Sequence, residues 1–211
     1  MAATPPPVFV DEHLLVLDKA AGLLTVPGRG ADKAECLWSH ARLLWPDALV
    51  VHRLDMATSG LVVFARNAAA QRHLSIAFAE RQVDKRYEAL VAGVMPDDEG
   101  RIDLPLSADW PNRPRQQVDV VAGKPSLTRW RVLSRDLTAQ RTRLELTPHT
   151  GRSHQLRVHL SAIGHAIVGD ALYASPEVAT AAARLCLHAT ALKFLHTHHA
   201  APLAFVSPAA F

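Results

Sequence analysis

The run Val50-Val51-His52-Arg53-Leu54-Asp55-Met56-Ala57-Thr58-Ser59-Gly60-Leu61-Val62-Val63-Phe64-Ala65 decides how the chain is organised. Its second part, Leu61 to Ala65, is apolar, rich in β-branched residues and of strand length, and predicts a buried strand. Its first part is polar and closes with Thr58-Ser59-Gly60. Asp55 therefore sits in a loop that feeds a buried strand, a place where scaffolds commonly present reactive groups. An aspartate in such a loop is, taken alone, most often a turn residue bonded to its own backbone.

Working outward, Val8–Val10 and Leu14–Asp18 read as short strands joined by a turn. Pro27-Gly28-Arg29-Gly30 breaks the chain, and Cys36 to Trp45 suits a short amphipathic helix ended by Pro46. Asn67 to Glu80 predicts a helix capped by Asn67, with Leu74, Ile76 and Phe78 on its apolar side. Lys85 to Gly93 reads as a strand. Gly100 to Lys124, rich in Pro, Asn, Asp and Gln, reads as a long hairpin or loop region with basic residues. Leu127–Ser134 and Arg141–Leu146 are strands, Ser153 to Ile163 a helix, and Leu185–Leu195 and Leu203–Val206 closing strands. The sum is an α+β chain with a mixed, mainly antiparallel sheet core and flanking short helices and loops. It is expected to be a single catalytic domain over residues 1–211.

The chain has 211 residues, 49% of them hydrophobic, enough for a substantial core and against a disordered polypeptide. No apolar run reaches the roughly 18 residues that cross a bilayer. Met1-Ala2-Ala3-Thr4-Pro5-Pro6-Pro7 has neither a basic start nor an apolar core, so no secretory signal is expected and the cytoplasm is the expected compartment. Cys36 and Cys186, the two cysteines, form no C-x-x-C pair and read as free thiols in apolar surroundings. The net charge of +3 is compatible with nucleic acid without demonstrating it. More telling are the basic clusters at Arg81–Arg86, at Arg113, Arg115 and Lys124, and at Arg152 and Arg157, which converge on a phosphate backbone if the fold brings them to one face.

A second informative run is Thr150-Gly151-Arg152-Ser153-His154-Gln155-Leu156-Arg157-Val158-His159-Leu160. On a helix beginning near Ser153, His154 and Arg157 share a face. An arginine there suits a loop carboxylate and favours its ionised form, the plain alternative being a surface salt bridge of little energetic weight. The twelve histidines do not argue for a metal. His149, His154 and His159 recur every five residues, which rotates each about 140° from the last on a helix. His196-Thr197-His198-His199 suits adventitious metal binding at most. The zinc deaminase signature is absent, and Gly22, Gly28 and Gly30 do not make a phosphate-binding loop.

Taken together, these motifs resemble the RluA family of pseudouridine synthases. His52-Arg53-Leu54-Asp55 with Thr58-Ser59-Gly60-Leu61 is similar to that family's catalytic loop, and Lys85-Arg86-Tyr87 to its tyrosine motif. Thr150 to Leu160, followed by Ile163-Gly164-His165 and Gly169-Asp170, is similar to its third motif. The resemblance runs over roughly residues 8 to 208. Asp103-Leu104-Pro105-Leu106, Asp109-Trp110-Pro111-Asn112-Arg113-Pro114, Gly123-Lys124-Pro125 and Tyr173-Ala174-Ser175-Pro176-Glu177 narrow it to the branch that acts on both rRNA and tRNA. Asp18-Lys19 and Gly22-Leu23 already match the start of the catalytic domain, so no S4-type RNA-binding domain is expected. Ala166 departs from the proline that often follows Gly-His in the family, which implies a change in loop stiffness only.

The resemblance implies a cofactor-free and metal-free isomerase that converts uridine to pseudouridine in an RNA stem-loop. It implies Asp55 as the essential carboxylate, Tyr87 as the ring against the uracil and the acceptor of its C5 proton, and Arg157 as the cation beside Asp55. Arg53 is implied to fill the gap left by the flipped base, with His52, Arg152 and His154 also contacting RNA. The implied partners are the tRNA anticodon stem-loop and a large-subunit (23S) rRNA hairpin, bound by a monomer without a membrane. Two alternatives stand beside this: a catalytically silent RNA-binding protein of the same fold, and a synthase restricted to one rRNA site.

Overall fold

A computed structural model describes residues 5–28 and 34–211; Arg29 and Gly30 of the expected chain break lie outside them. The described residues fall into two compact units. The first holds residues up to Lys85 and Ala189–Ala209, the second Arg86–His188 and Ala210–Phe211.

The first unit is built on the predicted strand. In it, β1 (Phe9–Val10) pairs β2 (Leu14–Lys19), and β2 pairs β4 (Ser59–Ala65), antiparallel throughout. The two-residue β3 (Leu49–Val50) also lies against β4. Every residue of β4 is buried. Leu14, Val16, Leu61, Val63 and Ala65 supply one face of the sheet to a core shared with α2 (Ala68–Ala79). The alternate residues Leu15, Leu17, Val62 and Phe64 are equally buried on the other face. A strand covered on both sides has no reason to alternate polar with apolar, which is why its sequence is continuously apolar. The helix α1 (Leu37–Leu44) begins after Cys36, whose sulfur accepts from the Ser39 backbone N–H at 3.3 Å.

Asn67 caps α2 as expected, its Oδ1 accepting from the Ala70 N–H at 2.9 Å. The helix buries Ala70, Leu74 and Ala77. Ile76, expected on the apolar side, is 48% exposed. Two residues past Leu74 is about 200° around the helix, so Ile76 faces away while Phe78 still packs against the core.

In the second unit β5 (Asp84–Ala92), β10 (Arg141–Pro148), β9 (Leu127–Asp136) and β6 (Glu99–Asp103) pair antiparallel in that order. Thr142, Leu144, Leu146 and Pro148 of β10 are buried while the residues between them are half-exposed, the alternation of a sheet packed on one side. The region read as a long hairpin or loop contains β6 and a separate ladder of β7 (Leu106–Ala108) with β8 (Gln116–Val118). The helix α3 spans Gln155–Ala162, a short α4 Pro176–Thr180. The chain passes between the units within β5 and within β11 (Leu187–Leu195), whose first-unit part pairs antiparallel with β12 (Pro202–Val206). Cys36 and Cys186 are buried free thiols.

Gly60, which ends the polar run, has φ +113°, and a Cβ there would meet the Ala189 carbonyl oxygen at 2.4 Å. Gly60→Ala is therefore expected to cost about 3 kcal/mol or more, from strained backbone and a rigid clash. Chemical denaturation measures this, and an unchanged midpoint would refute it.

Candidate active site

In the first unit, residues 51–55 have no regular structure, and yet Leu54 is 5% exposed. A buried residue off the ladder needs partners for both backbone groups. Thr25, 1% exposed, supplies both. Its Oγ1 accepts from the Leu54 N–H at 3.1 Å and donates to the Leu54 carbonyl at 2.9 Å. The next anchor is the Met56 carbonyl, which accepts from the Gly22 N–H at 2.9 Å and from Lys19 Nζ at 3.1 Å. Between these two fixed residues lies Asp55, half-buried, and its carbonyl accepts from the Thr58 N–H at 3.1 Å to close a turn.

Lys19 is fully buried. Its ammonium donates all three N–H bonds, to the carbonyls of Leu23 at 2.7 Å, Ala20 at 2.9 Å and Met56. Burial pushes its pKa down to about 8, against the attraction of Asp55 and Asp18, so it is still a cation at neutral pH. Thus the segment 19–25 holds the Asp55 loop by hydrogen bonds and puts a positive charge within electrostatic reach of Asp55. Neither Lys19 nor Thr25 was singled out as a site residue from the sequence. The signal for Lys19 was its place at the end of a strand that opens with four apolar residues, where a lysine is buried only for a reason.

His52 accepts the Val63 N–H at its Nε2 at 3.0 Å and stacks on Phe78 with 4.5 Å between ring centroids. Burial, and secondarily the charge of Lys85, hold its pKa down to about 3, so the ring is neutral with its proton on Nδ1. Its Nε2 is thus committed to the scaffold. Arg53, by contrast, is exposed.

In the second unit, Tyr87 lies on β5 opposite Leu146 and is half-buried. Arg157 is 4% exposed and forms a two-pronged ion pair with Asp170, Nε to Oδ2 at 2.8 Å and Nη2 to Oδ1 at 2.6 Å. This replaces the surface salt bridge allowed by the sequence with a buried pair. Asp170 also accepts from the backbone N–H groups of Leu172 at 2.9 Å and Tyr173 at 3.2 Å. The helix begins at Gln155, later than expected, because His154 is in the left-handed region at φ 53°. His154 and Arg157 therefore do not share a helix face; Tyr173 brings them together instead. His154 Nδ1 is 2.6 Å from the Tyr173 hydroxyl, and the Arg157 guanidinium carbon is 5.0 Å from the Tyr173 ring centroid.

The other polar side chains of this run serve the scaffold. Gln155 Oε1 accepts from Thr150 Oγ1 at 2.7 Å and the Arg152 N–H at 3.1 Å, and its amide nitrogen donates to the Leu127 carbonyl and Thr128 hydroxyl. His159 bridges Thr128 Oγ1 at 2.9 Å and the Leu104 carbonyl at 3.0 Å. Arg152 is exposed. Among the described residues, no group of three or more His, Cys, Asp or Glu is placed to hold a metal ion.

The sequence pattern of a family described as RNA pseudouridylate synthase matches residues 13–162, which includes the pinned loop, Tyr87 and Arg157. The chain belongs to this family. The dual-specificity RNA pseudouridine synthase RluA of Yersinia pestis is 47% identical to it over 204 residues, 97% of this chain and 98% of that protein. The protein of the same name from Escherichia coli strain K12 is 46% identical over 206 residues, 97% of this chain and 93% of that protein. Among solved structures, human RNA pseudouridylate synthase domain containing 1 matches with a TM-score of 0.81 at 29% identity, over 97% of this chain and 83% of that chain. The protein is thus an RNA pseudouridine synthase, an isomerase, with an α+β fold of antiparallel strands and few short helices. Among the described residues, no helix is long and apolar enough to cross a membrane.

Thr25→Val keeps the shape of the side chain but leaves the buried Leu54 N–H and carbonyl without their partner. It is expected to cost roughly 2 kcal/mol of stability and to lower turnover, with Thr25→Ser restoring both. Wild-type melting and turnover in the valine variant would show that the loop does not depend on this bond.

Proposed function

We propose that Asp55 is the catalytic carboxylate of the synthase. The single observation that supports this best is the anchoring of the loop on both sides of Asp55, through Leu54 and Met56, with the Lys19 cation nearby. Pseudouridylation breaks the N1–C1′ bond, rotates the uracil, joins C5 to C1′ and moves the C5 proton away while N1 is protonated. Asp55 starts this either by attacking C1′ or by removing the 2′ proton to give a glycal. Both routes need the ionised carboxylate, which fits a site with cationic neighbours.

In this reading Arg157 is a second cation for Asp55, held rigid by its pair with Asp170, and Tyr87 stacks on the flipped uracil and accepts the C5 proton. Arg53, exposed beside Asp55, fills the gap in the base stack, offsetting an unstacking cost of a few kcal/mol. Arg152 and His154 contact the RNA. His52 takes part through the loop it braces, since its Nε2 is bonded to Val63. The synthase uses no cofactor or metal and acts as a monomer, in the cytoplasm, with its two units forming one catalytic domain. The substrates proposed are the tRNA anticodon stem-loop and a large-subunit rRNA hairpin, because two of its relatives carry the name dual-specificity RNA pseudouridine synthase. A silent RNA-binding role does not call for a buried lysine beside a carboxylate loop.

Asp55→Ala and Asp55→Asn are expected to abolish tritium release from RNA labelled at uridine C5 while RNA binding remains measurable. Near wild-type release from Asp55→Ala would remove the assignment. Arg53→Ala is expected to weaken a stem-loop substrate more than a short single strand, and equal loss on both would sink its stacking role. Pseudouridine mapping in a strain lacking this protein identifies the target: loss at one rRNA site alone would replace the dual-substrate reading.

A further inference from the structure

The turn between β7 and β8 is more heavily built than a surface turn needs to be. Within residues 109–115, the Asp109 N–H donates to the Arg115 carbonyl at 3.1 Å, the Asn112 N–H to the Asp109 carbonyl at 3.1 Å, and the Arg115 N–H to the Asn112 carbonyl at 3.0 Å. The Asn112 side-chain nitrogen also donates to both oxygens of the Asp109 carboxylate, at 3.1 and 3.0 Å. Pro111 and Pro114 restrict the backbone further. At its root the hairpin is fastened to the site of the second unit. The Gln116 N–H donates to the Tyr173 hydroxyl at 2.8 Å, the hydroxyl that also meets His154, and the Arg115 guanidinium carbon lies 5.4 Å from the Tyr173 ring centroid.

What this turn holds out is Trp110, 68% exposed and the one exposed side chain among the Phe, Tyr and Trp of the described residues. The indole buries little and makes no hydrogen bond among those residues, so it contributes little to the fold. The Arg113 guanidinium carbon sits 3.2 Å from its ring centroid and covers one face. That stack fixes the orientation of the ring and gives it a positive charge. Neither Arg113 nor Arg115 has a carboxylate in ion-pair distance among the described residues. A rigid ring with one face covered by a cation, next to a second cation and in a protein that acts on RNA, has the chemistry of a base-stacking platform with phosphate contacts. An acidic protein surface would use the two arginines but gives the planar face nothing to stack on.

We infer that the Trp110–Arg113 stack docks an unpaired nucleobase of the substrate RNA other than the target uridine. The inference rests on the reading of the substrate as a stem-loop, whose loop supplies unstacked bases. The ring acts as a positioning element, setting which loop conformation is held while the target base is turned out, and takes no part in the chemical step.

The test is single-turnover kinetics of wild type, W110A and W110F on the anticodon stem-loop and the rRNA hairpin, with an abasic site placed in turn at each non-target loop position. W110A is expected to raise the half-saturating RNA concentration about ten-fold, equivalent to about 1.4 kcal/mol, with the rate at saturation within about two-fold of wild type. W110F is expected to recover most of the loss, and W110A to melt as the wild type does. One abasic position should reproduce the W110A loss, and combining the two should add nothing further. An unchanged half-saturation in W110A, or losses that multiply at every loop position, overturns the inference. If wild type turns over neither stem-loop, the substrate reading fails on its own. The stack is then tested by affinity for single-stranded oligouridylate, where equal binding by wild type and W110A overturns it.

Discussion

A partly buried loop off the sheet ladder, such as residues 51–55, needs its backbone polar groups satisfied by something else. In this synthase the segment from Lys19 to Thr25 does so. One hydroxyl, that of Thr25, serves both the N–H and the carbonyl of Leu54, and the Met56 carbonyl takes one bond from Gly22 and another from Lys19. The arrangement requires a buried ammonium, an expensive group to dehydrate, and its pKa falls to about 8 as a result. Three carbonyl acceptors satisfy its N–H bonds, and the charges of Asp55 and Asp18 oppose the fall, so it is still a cation at neutral pH. The same buried charge that ties the loop therefore also acts on Asp55. Mechanical support and electrostatics come from one residue.

The second unit solves a similar problem with a different set of parts. Gln155 satisfies four polar groups around the start of α3, and His159 shares one of them, the Thr128 hydroxyl, and adds the Leu104 carbonyl. Arg157 and Asp170 form a pair whose net contribution to stability is small, since both ions are dehydrated. What such a pair supplies is geometry: two parallel bonds define the plane of the guanidinium. Tyr173, whose backbone N–H bonds Asp170 and whose ring lies near Arg157, carries that order outward to His154 and to the root of the β7–β8 hairpin.

Much of the framework was legible in the sequence because periodicity and capping act over a few residues. The buried strand after Gly60, the Asn67 cap and the strands at Arg141–Leu146 and Leu203–Val206 all follow from local pattern. Errors came from helix phase or where a long-range contact decides. Ile76 is apolar but falls on the wrong side of α2. His154 was read as helical, yet its bond with Tyr173, nineteen residues on, accompanies a left-handed backbone that delays the helix. Arg157 was legible as a helix arginine but not as the partner of Asp170, because nothing local ties residues 13 apart. Lys19 and Thr25 were missed for a similar reason: the bonds by which they hold the loop reach Met56 and Leu54, 37 and 29 residues away. His52 illustrates the converse, a polar residue inside a functional motif whose Nε2 turns inward to Val63.

These cases share a pattern that explains why the family's motifs are long strings of residues. In the first motif His52 and Leu54 are tied to the scaffold, while Arg53 is exposed and Asp55 half-buried between anchored neighbours. In the third, Gln155, Arg157 and His159 are buried and bonded while Arg152 is exposed. Each run thus combines side chains bonded to the scaffold with exposed ones. An isomerisation in which the detached base must stay in place until it is rejoined depends on prepaid positioning more than on an exotic reagent. The sequence records that requirement as unbroken motifs, in which buried, bonded side chains such as Gln155, Arg157 and His159 stand beside exposed ones such as Arg152.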